Sequence, residues 1–98
     1  MDDTAIITLF WARNEEALAE TARKYGGMLS ALAFRVLGDP EDSRETVNDT
    51  YLRAWDAIPP ARPERLCPYL CRIVRRLAID RLRRRDAQKR AGESYALA

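Results

Sequence analysis

The stretch VLGDPEDSRE, residues 36–45, forces the chain into a tight helix-to-helix corner. Gly38 suits the left-handed backbone that ends a helix, and Asp39 supplies a side-chain oxygen for the free N–H groups of the next one. Pro40 fits a first helical position, where no backbone N–H bond is lost, and Glu41 and Asp42 follow where the helix dipole favours anions. One helix must stop and another start within a few residues.

Upstream, the apolar positions Leu18, Ala22, Tyr25, Leu29, Leu32 and Val36 alternate in steps of three and four, which marks one helix face. That helix starts at an Asn14 N-cap, with Glu15 and Glu16 in its first turn. Gly26-Gly27 falls inside the pattern at about 1 kcal/mol per glycine against alanine and marks the place for a kink. A short helix from Asp3 to Ala12 precedes it, rich in large apolar residues (Ile6, Ile7, Leu9, Phe10, Trp11).

Downstream, a third helix runs to about Ile58, with Val47, Tyr51, Ala54, Trp55 and Ile58 on its core face. Glu45, Asp49, Asp56 and Asp42 lie opposite, with Leu52 among them. The prolines of PPARPERLCP, Pro59 to Pro68, break regular helix and leave an ordered loop carrying Arg62 and Arg65. A fourth helix, from Cys67 or Pro68 to about Arg90, buries Leu70, Ile73, Val74, Leu77 and Ala78. The expectation is an all-α, compact bundle of about four helices over residues 1–90, with 91–98 a frayed tail or the start of a linker.

A chain of 98 residues, 47% hydrophobic and 33% charged, suits one small helical domain rather than a disordered segment. No apolar run approaches the ~20 residues needed to span a bilayer. The acidic start, Asp2 and Asp3, lacks the basic flank of a signal peptide, so the chain reads as cytoplasmic. Cys67 and Cys71 stand four apart in a chain without histidine, too few ligands for an ordinary metal site. They read as small apolar fillers in a reducing compartment, with redox sensing as the alternative. No cofactor and no small-molecule substrate are expected. With no histidine, no Gly-rich phosphate loop and no serine beside a base, the chain does not read as an enzyme.

Charge divides the chain. Residues 1–58 carry six Lys/Arg and eleven Asp/Glu, whereas residues 59–98 carry eleven and four. Such asymmetry implies two partners, the one for the basic part being a polyanion. Between Arg72 and Arg85, seven of fourteen residues are arginine. On a helical wheel Arg72, Arg76 and Arg83 cluster opposite the core face, Arg75 sits at its margin, and Ile79 falls in their midst. A β-branched apolar residue there is at home against a base, a sugar or a partner protein, the alternative being that it packs on another helix or is simply exposed, as lone apolar residues often are. Asp80 is four residues from both Arg76 and Arg84 and is placed to pair with either, at about 0.3–0.5 kcal/mol in solvent. Tyr69 adds an aromatic at the start of the basic helix, the usual equipment for holding an unstacked base, the alternative being a core tyrosine with its hydroxyl at the surface. Acidic faces are usually just solvated, but Leu52 among the carboxylates shifts the reading toward an interface with a basic protein.

LGDPEDSRETVNDTYLRAW, the proline-bearing loop and YLCRIVRRLAIDRLRRR resemble region 2 of a bacterial sigma factor of the sigma-70 family, extracytoplasmic-function type. The resemblance runs from about Glu16 to Arg85. It implies a domain that docks on the β′ clamp coiled coil of core RNA polymerase through Glu45, Asn48 and Asp49, with Leu52 and Arg53 beside them. It also implies recognition and melting of the −10 promoter element, with the non-template single strand held by the loop and basic helix. Tyr69, Arg72, Arg76 and Ile79 fall on the family's DNA-facing positions, and Arg62, Arg65, Arg75, Arg83 and Arg84 complete the expected DNA-binding set.

The chain departs from the family pattern in Arg76, where asparagine is frequent, in Tyr69, where tryptophan is common, and in a loop richer in proline. These differences bear on the promoter recognised rather than on docking. Such factors carry a second, −35-binding domain, and this chain stops at Ala98 where a linker would begin, as a truncated or degenerate product would. Alone, the domain is expected to bind promoter DNA weakly. The competing reading is a sigma-type interaction module that binds an anti-sigma factor or another regulator without initiating transcription. Membrane-surface binding is disfavoured, because the apolar face of the basic helix is committed to the core.

Overall fold

The computed structural model describes residues 1–97, with side chains through Glu93. Four helices follow one another: α1 (Asp3–Trp11), α2 (Glu16–Leu37), α3 (Pro40–Ala57) and α4 (Leu66–Leu97). No described residue is in a strand. Central α2 packs on α1, α3 and α4, and α3 packs on α4. No described helix is long and apolar enough to cross a membrane.

The helix boundaries follow from capping chemistry. Asp2 Oδ1 accepts from Ala5 N–H at 2.8 Å, Asn14 Oδ1 from Glu16 N–H at 3.0 Å, and Asp39 Oδ1 from Asp42 N–H at 2.9 Å. Gly38 is left-handed at φ 66°, and Pro40 opens α3 as the corner requires. Arg13 ends α1 with a left-handed backbone, φ 55°. Its N–H reaches Phe10 O and the Asn14 N–H reaches Leu9 O, both at 3.0 Å, a Schellman closure with arginine where glycine is usual.

The core is built from Ile6 and Phe10 of α1, Leu29 and Ala33 of α2, Val47 and Ala54 of α3, and Leu66, Leu70 and Val74 of α4, with Ile58 closing its end. On α2 the buried stripe is Ala17, Thr21, Leu29, Ala33 and Leu37. The larger residues expected to face inward, Leu18, Tyr25, Leu32 and Val36, are half-buried on its flanks, and Ala22 is exposed. A Cβ on Gly26 would lie 3.3 Å from the Tyr51 hydroxyl of α3, whereas one on Gly27 would meet open space. The glycine pair sits in an unbroken helix, without the kink the sequence allows.

On α3, Ser43, Thr46 and Thr50 are buried beside the expected apolar face. Each hydroxyl donates to a carbonyl four residues back, at 2.6, 2.7 and 2.8 Å respectively, so no polar group is stranded.

Two ends of α4 differ from expectation. The helix starts at Leu66, so Pro68 lies in its first turn, where a missing N–H has no intrahelical partner to lose. It also runs past Arg90 to Leu97, because residues 84–97 are mostly good helix formers with only Gly92 against them. Residues 86–93 are all exposed, so this part of α4 extends beyond the bundle. The radius of gyration of 16.0 Å exceeds the about 13 Å of a 100-residue globule accordingly.

Candidate functional site

The start of α4 is fixed by Asp3. Its carboxylate accepts from the Tyr25 hydroxyl at 2.6 Å, from Lys24 Nζ at 2.9 Å and from the Leu66 N–H at 3.4 Å. Burial alone would raise the Asp3 pKa, but the hydrogen bonds from Tyr25 and Lys24, the lysine charge and the Leu66 amide together hold it below the usual carboxylate range. Burial raises Tyr25, and the Asp3 carboxylate raises it further. One acidic side chain thus joins α1, α2 and the turn that leads into Tyr69.

Tyr69 is half-buried against the core and borders a depression shared with Arg53 of α3 and with Arg72, Ile73 and Arg76. A second depression continues along α4, lined by Arg72, Arg75, Arg76, Ile79, Asp80 and Arg83. Arg72, Arg76 and Asp80 border both, so the two form one strip from Tyr69 to Arg83, about 21 Å at the helical rise. Ile79 is half-buried, an apolar floor among cations as the wheel predicted. Among the described residues, Arg72, Arg75, Arg76 and Arg83 make no ion pair, and Asp80 pairs with neither Arg76 nor Arg84. The strip is a row of uncommitted guanidinium groups around an apolar floor, suited to a flexible polyanion with flat hydrophobic faces.

Not every expected basic residue joins it. Arg62 turns away and stacks on Trp11, with its guanidinium carbon 4.7 Å from the ring centre, beside Thr4 and Thr8 of α1. Arg65 is exposed just before α4, and Arg84 is exposed outside both depressions. Arg53, expected beside the acidic face, lines the Tyr69 depression instead.

The acidic face of α3 presents Glu45, Asn48, Asp49 and Leu52, all exposed, Leu52 to 57%. It is not bare. Arg81 reaches across from α4 to Glu45 at 2.9 Å, Asp49 at 3.5 Å and Asp42 at 3.7 Å. Arg85 approaches Asp42 at 3.6 Å and donates to Leu37 O at 3.1 Å, a carbonyl that the end of α2 leaves free. Exposed pairs of this kind contribute about 0–1 kcal/mol each, but sharing Arg81 among three carboxylates orients the acidic row.

Sequence reasoning assigned neither Arg81 nor Arg85, yet a signal was there. The stripe Leu70, Val74, Ala78 continues by steps of three and four to 81 and 85, so these arginines extend the inward face past the apolar core. Arg13 was missed as well. It donates to Trp55 O at 2.7 Å and Ile58 O at 3.0 Å, with its guanidinium 3.7 Å from the Trp55 ring centre. Nothing local announces that role, because its partners lie more than forty residues away.

The sigma-70 region 2 family matches residues 21–88, which include most of α2, all of α3 and the strip-bearing part of α4. The chain belongs to that family. This region 2 domain is similar to the ECF RNA polymerase sigma factor SigK of Mycobacterium sp. strain KMS, at 30% identity over 88 residues. Proteins of strains JLS and MCS, the latter called RNA polymerase sigma factor SigK, match to the same degree. The alignments cover 88% of this chain but 46% of each relative, so the domain spans less than half the length of the curated relatives it matches. No solved structure matches. The family expected from LGDPEDSRETVNDTYLRAW and YLCRIVRRLAIDRLRRR is therefore the one found, and both faces lie within the matched segment.

Proposed function

We propose that this domain serves transcription initiation as a binding module with no bond-making chemistry of its own. The acidic row of α3, Glu45, Asn48 and Asp49 with Leu52 at its edge, docks on the β′ clamp coiled coil of core RNA polymerase. The strip of α4 holds the melted non-template strand of a −10 promoter element, with bases against Tyr69 and Ile79 and phosphates on Arg72, Arg75, Arg76 and Arg83. Unpairing a base costs a few kcal/mol, offset by about 1–3 kcal/mol of stacking per base and by the arginine–phosphate attraction.

One observation supports this reading above the others: the arginines around Ile79 have no intramolecular partner among the described residues, while Arg81 and Arg85 of the same helix do. A merely solubilising basic face has no reason to be sorted in this way. In docking, basic side chains of the polymerase join or replace Arg81 on Glu45 and Asp49, while Leu52 supplies desolvated contact.

The test is a pull-down of purified core RNA polymerase with the parent domain and with Asp49→Arg. The parent is expected to be retained and Asp49→Arg lost. Equal retention of both, or of neither, removes the docking assignment. Fluorescence anisotropy tests the strip separately: single strands of −10 type should bind more tightly than duplex DNA of the same sequence. An equal or stronger preference for duplex would argue against base capture.

A further inference from the structure

Three sulfur atoms meet where α2 packs on the first two turns of α4. Cys67 Sγ lies 3.7 Å from Met28 Sδ and 4.0 Å from Cys71 Sγ, and Cys71 Sγ lies 4.0 Å from Met28 Sδ. The triangle is nearly equilateral, and the point equidistant from its corners is about 2.3 Å from each sulfur, the ~2.3 Å length of a metal–thiolate bond. All three residues are half-buried, which leaves an entry path while shielding the cluster. Both thiols are free.

We propose that Met28, Cys67 and Cys71 form a trigonal site for a soft monovalent cation, Cu(I). The donor set selects the ion. Two thiolates and a thioether suit Cu(I), whereas zinc takes four ligands, and the chain has no histidine to add. Among the described residues no carboxylate completes a group of three His, Cys, Asp or Glu ligands, so the hard divalent ions have no foothold.

Loading is a ligand exchange without redox change. The cation gains three sulfur ligands, each thiol releases one proton to solvent, and two thiolates on one monovalent ion leave a net charge of −1. Arg75 stands near enough to Cys71 to favour its thiolate. Burial and the neighbouring Cys67 push the Cys71 thiol up, and loading releases its proton. The ion would pin α2 to the two turns of α4 that carry Tyr69.

Anaerobic titration of the reduced protein with Cu(I) against bicinchoninate, followed by copper K-edge X-ray absorption of the loaded protein, tests the site. One copper per chain with three sulfur neighbours at about 2.3 Å is expected. Cys67→Ser/Cys71→Ser should abolish competition with the chelator. Met28→Leu, which conserves volume, should keep its helical circular dichroism, bind at least tenfold more weakly and show two sulfur neighbours. Failure of the parent to compete for one copper overturns the proposal. So does a Met28→Leu variant whose affinity and sulfur count are unchanged.

Discussion

Six of the eight arginines on α4 divide into two sets with different occupations. Arg81 and Arg85 point along the continuation of the buried stripe and are held by Asp42, Glu45, Asp49 and the Leu37 carbonyl. Arg72, Arg75, Arg76 and Arg83 point away from it, surround Ile79 and have no ion-pair partner among the described residues. Residue type, helix and local charge are the same, so the angle around the helix axis decides. The difference shows how a basic run can be structural at one heading and available to a ligand at another. Arg13 belongs with the first set: it closes the end of α3 as Arg85 closes the end of α2.

This division can be broken by substitution. The largest effect is expected from Arg72→Ala/Arg76→Ala. Two charge-assisted contacts at about 1.5 kcal/mol each should lower single-strand DNA affinity on the order of 100-fold, measured by anisotropy, with thermal stability unchanged. If the variant binds DNA as the parent does, the free set is not the DNA-facing set. Arg13→Ala should show the reverse pattern. It loses two carbonyl contacts and the Trp55 stack, about 2 kcal/mol in all, or a fall in Tm of roughly 8–15 °C, while DNA affinity holds.

Arg81→Ala should be milder, at roughly 0.5–1 kcal/mol by urea denaturation, because its carboxylate partners are half or more exposed at two of three contacts. The smallest effect is a pH dependence at Asp3. Its folded pKa is lowered, so its contribution is present above the ordinary aspartate value of about 3.9 and is lost as pH falls through the folded value. Asp3→Asn should therefore be less stable than the parent at pH 7, and the two should converge in strong acid. A gap that persists undiminished in acid would show that the hydrogen-bond geometry, not the charge, is what matters.

Much of the fold is legible in the sequence because helix ends carry local chemistry. Gly38, Asp39 and Pro40 define one corner and Asn14 another, and both stand where their side chains and backbone preferences put them. The phase of α2 is less legible. Hydropathy weights Leu18, Leu32 and Val36, yet the buried stripe is Ala17, Thr21, Leu29, Ala33 and Leu37, in which small side chains stand beside large ones. Ser43, Thr46 and Thr50 are hidden for a related reason, since their own helix satisfies the hydroxyls and frees them for the interior. On the candidate site, the wheel foresaw the cluster around Ile79, which needs only one helix. It did not foresee Arg62 on Trp11 or Arg53 beside Tyr69, because those placements depend on how separate helices come together.

The salt dependence of single-strand DNA binding tests the central claim most directly. For single strands the slope of log affinity against log salt changes by about 0.7 for each phosphate neutralised. Arg76→Ala should reduce the magnitude of the slope by about that amount, whereas Arg81→Ala should leave it at the parent value. Equal reductions in the two variants, or a loss confined to Arg81→Ala, would contradict the division of the helix into a ligand-facing and a fold-facing set.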